Sequence, residues 1–305
     1  MKQKTLQSEV RCSGIGLHGG AKIEMVVKPA PADTGIVFVL VGSESFREIK
    51  LDPKSVTATG LATTLGYGDA HVSTVEHLLA TMVGLEIDNA IIEVHGGEIP
   101  ILDGSAAVFV HLFRSVGLRE LHRPKRIAKI KRHLVFEDGE KRITVSPYPG
   151  LKIDYTISFS HPQIGRQQFF YESSPKHFIE KISRARTFGF LRDVELLQKR
   201  GLARGGSLEN AVVFDEYGVV NPEGLRFSDE MVRHKILDFM GDIAVYSARL
   251  WGHFEVSCSG HDFNNKFMRF LDGHAAEYID VIDLSSRPQS VQHKTPSFGG
   301  IPVWA

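Results

Sequence analysis

Within "FSDEMVRHKILDFMGD", residues 227–242, His234, Asp238 and Asp242 follow one another at intervals of four. At about 100° per residue, that spacing sets an imidazole and two carboxylates in one row along a helix. Gly241 and Leu237 stand beside them, Lys235 lies at the margin, and Val232, Ile236, Phe239, Met240 and Ile243 share the opposite face. A His and an Asp at i,i+4 can offer two ligands to one metal ion, as the two histidines of an HExxH helix do. The third ligand must then come from elsewhere in the chain. Glu76-His77, in "STVEHLLATMVGL", supplies an imidazole and an adjacent acid able to act as base toward a bound water. His77, His234 and Asp238 would form a His₂Asp set with a fourth position left for water, the pattern of a catalytic zinc site. Asp242 is left over to orient another group, and His261 in "SGHDFNN" is a candidate for that group.

Each feature also has a plainer reading. Ser73-x-x-Glu76 fits a capping box. His77 alone would serve as a hydrogen-bonded core histidine, and the row from His234 to Asp242 as a solvated face with i,i+4 pairing. Solvated faces, however, are rich in Lys, Glu and Arg, whereas this row offers short ligating side chains and a glycine. Taken together, the residues point to a zinc hydrolase.

The elements that must hold these groups are also readable. A helix is expected over 229–247, with Ser228 as N-cap, Asp229 and Glu230 in its first turn, and Phe227 stapled onto Val232. In "TVEHLLATMVG" the apolar ring is interrupted only by His77, Ala80, Thr81 and Gly84. Such a helix is buried, and its small-residue stripe lets a neighbour approach closely. Each half of the chain runs strands first, then helix–strand–helix: "AKIEMVVKP", "GIVFVLV", the first helix, "DNAIIEVHG" and "DGSAAVFVHLFRSVG"; later "RIAKIKRHLVFE", a hairpin at Asp138-Gly139, "LKIDYTISFS", the second helix, "GHFEVSCS" and "DFNNKFMRFLDG". This order predicts an α+β protein of two domains of similar plan, residues 1–122 and 123–305, with the basic stretch 119–126 as linker. Residues 186–227, with a short helix, a glycine-rich turn and a hairpin "NAVVF-DEYG-VVN", read as an insertion on the second domain. "GIGLHG" at 14–19 matches GxGxxG literally, but a strand rather than a helix follows, which argues against a dinucleotide site.

Composition narrows the class. The 305 residues carry 36 acidic and 36 basic side chains, which removes any electrostatic case for general nucleic-acid or anionic-membrane binding. Two cysteines, Cys12 and Cys258, with no CxxC pair, argue against a disulfide framework or a thiolate zinc knuckle. No apolar signal region opens the chain, and no uncharged run approaches the roughly 20 residues of a membrane helix. A soluble cytoplasmic protein is expected.

The ordered motifs "SGIGLHGG", "STVEHLLA", "IDNAIIEV", "EIPILDGSA", "ISRARTFGF", "LRFSDEMVRHKILDFMGD" and "SGHDFNNK" closely resemble the UDP-3-O-acyl-N-acetylglucosamine deacetylases of lipid A biosynthesis, over nearly the whole length. The resemblance implies removal of acetate from the 2-acetamido group of the acylated UDP-sugar, the committed step toward lipid A. It implies one zinc ion on His77, His234 and Asp238, with Glu76 as general base. His261 matches a catalytic histidine, Asp242 the carboxylate that holds it, and Thr187 a hydroxyl that stabilises the oxyanion. Lys235, Phe159 and Phe188 match substrate contacts. The insertion matches an apolar passage for the 3-O-acyl chain, with Leu191, Val194, Leu202, Val212 and Val213 as its apolar residues. The implied fold has two domains, each a sheet backing two helices, with the helices sandwiched between the sheets. A monomer acting on the UDP-sugar and water, with no nucleic-acid or transmembrane partner, completes the expectation. Leu61 stands where some members carry cysteine, and Cys258 where some carry a basic residue. The rival readings are another zinc amidase and a non-catalytic acyl-sugar binding protein.

Overall fold

The computed structural model describes residues 1–42, 46–199 and 201–284. The first half holds a five-stranded sheet in the spatial order Val10–Ile15, Lys22–Pro29, Ala90–His95, Ile36–Val41, Phe46–Lys50. Ile36–Val41 and Ala90–His95 run parallel, so the chain between them must cross over, and that crossover carries helix α1, Glu76–Gly84. Helix α2, Ala107–Val116, follows the second of these strands.

The second half repeats this arrangement. Leu151–Ser158 and Arg249–Ser257 run parallel in a seven-stranded sheet, which also includes the expected hairpin of Leu134–Asp138 and Lys141–Ser146. The long crossover carries helix α3, Leu191–Lys199, and helix α4, Glu230–Ile243, and helix α5, His261–Gly273, follows the strand. The protein is thus α+β, with two large sheets, three small ones of two or three strands among the described residues, and helices between the large sheets. Period-two alternation buries Ile23, Met25 and Val27 on the inner face of the first sheet, whereas Ala21, expected in the same row, is exposed. α4 seats Phe239 between Tyr155 and Phe254 of the second sheet, at ring separations of 6.0 and 5.6 Å.

α1 packs directly on α4. The expected small-residue contact is real: a Cβ on Gly241 would lie 2.1 Å from the carbonyl oxygen of Glu76, and one on Gly84 would enter the Phe178 ring. Only glycine lets the two helices come this close.

Several boundaries differ from the sequence reading. The stretch expected as a linker is a strand, Leu118–Pro124, paired antiparallel with Lys2–Leu6. "RIAKIKRHLVFE" is broken into Arg126–Ile130 and Leu134–Asp138, which pair with different neighbours. α4 begins with Asp229 as N-cap rather than Ser228, and Asp229 binds Arg233 at 2.6 Å instead of capping the helix. Phe227 lies under the Arg233 guanidinium, 4.5 Å from ring centre, which is its packing in place of the expected staple. No helix opens after "GIGLHG"; that turn is pinned by Glu98, which accepts the backbone N–H groups of His18 and Gly19, each at 2.9 Å. Both cysteines are free, and no described helix is long and apolar enough to cross a membrane.

Candidate active site

Glu76 and His77 open α1, where the chain enters the interior, and both are buried. The capping-box reading of Ser73 and Glu76 is not what the chain adopts. Val75 is the N-cap without a side-chain bond, Ser73 Oγ turns to Gly97 O, and Glu76 Oε2 accepts the N–H of Thr63 at 3.0 Å. On α4 the row His234, Asp238, Asp242 is also buried, so it faces the helix seam and not solvent.

The packing of α1 against α4 brings three donors together. Single ligand atoms of His77, His234 and Asp238 all lie within 4.8 Å of one another. His77 Nε2 and His234 Nε2 stand 3.5 and 3.2 Å from Asp238 Oδ1, and the two rings meet edge to face at 4.9 Å. His234 Nδ1 is 3.1 Å from Ala185 O, a bond that places the proton on Nδ1 and leaves Nε2 as the donor lone pair. Burial favours loss of a proton from His77, which suits a neutral ligand. Burial opposes the Asp238 charge, but His234 and Lys235 outweigh it and hold this carboxyl well below its usual range. Two imidazoles, each with a ring nitrogen turned to the same point, and one carboxylate fit a divalent ion of zinc type.

A second cluster adjoins the first. Asp242 Oδ2 lies 2.8 Å from His261 Nδ1 and accepts Asn264 Nδ2 at 2.7 Å, while Asp242 Oδ1 accepts Thr63 Oγ1 at 2.6 Å. Burial alone would discharge His261, yet Asp242, with Asp238 and Glu76 beyond it, raises its pKa to about 9. Burial raises Glu76 to about 7, reinforced by Asp238 and Asp242 against the opposing pull of His261. The site therefore holds an acid that releases its proton near neutrality and an imidazole that keeps its own.

Glu76, His77, Asp238, Lys235, Thr187, Phe188 and His261 line a single cavity of about 360 Å³, and Asp242 stands behind His261. Leu61 is on the same wall. Lys235 donates to Asp238 Oδ2 at 2.9 Å, and these charges outweigh burial and keep it protonated. Phe188 bridges to the aromatic group at the base of the insertion: its ring is 6.3 Å from His234 and 5.6 Å from Phe159. Leu191, Val194, Leu202 and Val213 lie outside that cavity. Leu191 is exposed, the other three are half-buried, and Val212 is part of the core.

Sequence reasoning missed Thr63, which touches both Glu76 and Asp242, and Asn264, one turn after His261 on α5. Only the i,i+3 spacing of His261 and Asn264 could have suggested the latter. Lys141 and Leu17 on the cavity wall gave no signal. Also missed was a clamp at the foot of the insertion. Glu230, fully buried, accepts the backbone N–H of Arg186 at 3.0 Å and of Arg226 at 2.6 Å, and pairs with Arg186 Nε at 2.9 Å. One carboxylate thus ties both ends of residues 186–227 to the start of α4.

Fold and donor set define an α+β protein with a buried two-histidine, one-aspartate group able to hold one metal ion between its sheets. The family model of the UDP-3-O-acyl N-acetylglycosamine deacetylases matches residues 3–282. A UDP-3-O-acyl-N-acetylglucosamine deacetylase of Oleidesulfovibrio alaskensis is 48% identical over 305 residues, covering 100% of both chains. A protein of the same name from Nitratidesulfovibrio vulgaris is 50% identical over 293 residues, 96% of this chain and 94% of that one. Another, from Pseudomonas entomophila, is 46% identical over 294 residues, 95% of this chain and 97% of that one. The chain belongs to the UDP-3-O-acyl N-acetylglycosamine deacetylase family.

Proposed function

We propose that this protein is a zinc-dependent, cytoplasmic and monomeric hydrolase that removes acetate from the 2-acetamido group of UDP-3-O-acyl-N-acetylglucosamine, the committed step of lipid A biosynthesis. The observation that carries this reading is the buried set of His77, His234 and Asp238 with Glu76 beside it, in a chain of this family. His77, His234 and Asp238 would hold the ion, which when bound supplies Lewis-acid activation of water and of the acetamide carbonyl.

The protein's own groups do the rest. Glu76 takes the proton of the attacking water as its oxygen bonds to the carbonyl carbon; a pKa raised to about 7 suits a base at neutral pH. The cationic His261 and the Thr187 hydroxyl face the oxyanion that develops. As the C–N bond breaks, His261 gives its proton to the leaving amine, and acetate departs. Asp242, fixed by Thr63 and Asn264, holds His261 in orientation and charge. Lys235 and Lys141 present cations to a substrate that carries a diphosphate.

The same reading makes Phe159 and Phe188 substrate contacts, assigns Leu191, Val194, Leu202 and Val213 to the acyl chain, and puts the domain boundary near residue 122. Acetate release from the acylated UDP-sugar by purified, metal-analysed protein tests it. Release of another amide's acyl group in its place would favour a different amidase, and tight binding without release would favour a binding protein.

A further inference from the structure

Glu230 opens α4 one turn before His234, and its side chain is fully buried. A carboxylate in the first turn of a helix is ordinarily left in water, where the helix dipole favours it without a desolvation penalty. Here it turns back into the protein, and both oxygens are taken up. Oε1 accepts Arg186 N at 3.0 Å and Arg186 Nε at 2.9 Å, while Oε2 accepts Arg226 N at 2.6 Å and Arg186 Nη2 at 3.3 Å. A buried ion pair adds little net stability over apolar packing, because desolvation consumes most of the attraction. What this one fixes is the position of two backbone segments.

Those segments belong to a closed circuit of bonds around the site. Arg226 Nη1 donates to Asp103 Oδ2 at 2.8 Å and to Arg184 O at 3.1 Å. Gly104, next to Asp103, accepts Thr187 N at 2.8 Å. A Cβ on Gly104 would lie 1.9 Å from Asn210 O, so the insertion sits directly on this turn. Residues 184–187 are thus held from α4 and from the first half of the chain at once. Two of them act on the site: Ala185 O is 3.1 Å from His234 Nδ1, and Thr187 lines the cavity wall beside Phe188. Arg186 stands between these two. Its Nη1 and Nη2 also reach Glu223 Oε1 at 2.6 Å and Gly224 O at 2.7 Å, near the end of the insertion.

We propose that Glu230 is a positioning residue for the metal centre, whose ligands are those of the function proposed above. By holding Arg186 and Arg226 it sets the Ala185 carbonyl that orients His234 and the segment that presents Thr187 and Phe188, so the insertion and the metal site keep one geometry together. Losing a partner that orients a ligand costs about 10- to 100-fold in metal affinity or activity. Two measurements on the full-length protein read the ligands without any substrate: zinc affinity by competition with a chelator, and the visible absorption of the cobalt(II) form. Glu230→Gln keeps the shape of the side chain but puts a donor where acceptors are needed. It should bind zinc about tenfold more weakly or worse and shift the cobalt bands. Phe109→Leu, a buried core change in α2, should lower the urea midpoint but keep zinc affinity and spectrum, which separates lost stability from lost positioning. If Glu230→Gln does not fold, Arg186→Lys, which keeps the charge but loses the planar fork, should show the same weakening and band shift in smaller degree. Zinc affinity and cobalt bands equal to wild type in the folded variant would overturn the proposal and leave the clamp a structural tie, and so would equal losses in Phe109→Leu. Acetate release is a separate arm: with zinc saturating, turnover of Glu230→Gln should fall below wild type. Wild-type protein that releases no acetate would overturn the proposed reaction, while the two metal measurements would still decide the role of Glu230.

Discussion

Asp238 and Asp242 stand four residues apart on one buried helix face, yet their surroundings divide them. Asp238 shares its oxygens with His77, His234 and Lys235, while Asp242 is taken up by His261, Thr63 and Asn264. Asp238→Ala should therefore release the metal. Asp242→Ala should keep it and lower turnover by about 10- to 100-fold, the usual effect of losing an orienting partner. Zinc content of the two purified variants checks this, and equal loss in both would contradict it. The same surroundings set the pH response. Glu76 must be unprotonated to act as base, so kcat/KM should rise with pH through about 7. His261 must be protonated to act as acid, so the rate should fall as pH passes about 9. Because the groups interact, the limbs report values of the pair. His261→Ala should lose or displace the alkaline limb, and an unchanged limb would remove His261 from the acid role. The chemistry-bearing types and their intervals were legible in the sequence. Thr63 was not, because its role comes from where the loop before α1 folds back and no residue spacing encodes that.

At the scale of elements, the seam between α1 and α4 decides the geometry. Alanine favours a helix over glycine by about 1 kcal/mol, whereas overpacking costs typically about 1–3 kcal/mol. A Cβ on Gly241 would press on a backbone carbonyl at 2.1 Å, which cannot swing aside. The clash wins. Gly241→Ala should lower the unfolding free energy by about 2 kcal/mol or more and also reduce metal affinity, because the helices carrying the ligands must part. Urea denaturation and zinc titration read the two effects, and an unchanged or raised midpoint would contradict the packing argument. Helix existence and buried faces followed from periodicity. Caps did not: the N-cap of α4 is Asp229 instead of the expected Ser228, and its carboxylate goes to the Arg233 side chain, while Ser73, expected to cap α1, turns to the distant carbonyl of Gly97.

For the whole molecule, the repeated order of strands, then helix–strand–helix, was readable, and it corresponds to a parallel strand pair spanning a helical crossover in each of the two large sheets, Ile36–Val41 with Ala90–His95 and Leu151–Ser158 with Arg249–Ser257; Arg126–Ile130 also runs parallel to the last of these. The strand at Leu118–Pro124 was hidden by its basic, proline-containing composition; its partner, Lys2–Leu6, lies at the opposite end of the first half. The insertion was visible as an irregular stretch, but its fastening through Glu230 was not, because Arg186 and Arg226 are 40 positions apart with no pattern between them. If that insertion receives the acyl chain, each buried methylene contributes about 0.8 kcal/mol. Val213→Trp or Leu202→Asp should then penalise the acylated UDP-sugar strongly and its deacylated counterpart much less. Parallel kinetics on both substrates test this, and equal penalties would place the chain elsewhere.

The central claim is that His77, His234 and Asp238 hold an ion on which this chain's deacetylation depends. Acetate release from UDP-3-O-acyl-N-acetylglucosamine, followed before chelation, after metal removal and after zinc is restored, tests it most directly. Release should disappear with the metal and return with about one zinc per chain. Undiminished release from protein shown by elemental analysis to hold no metal would contradict the account.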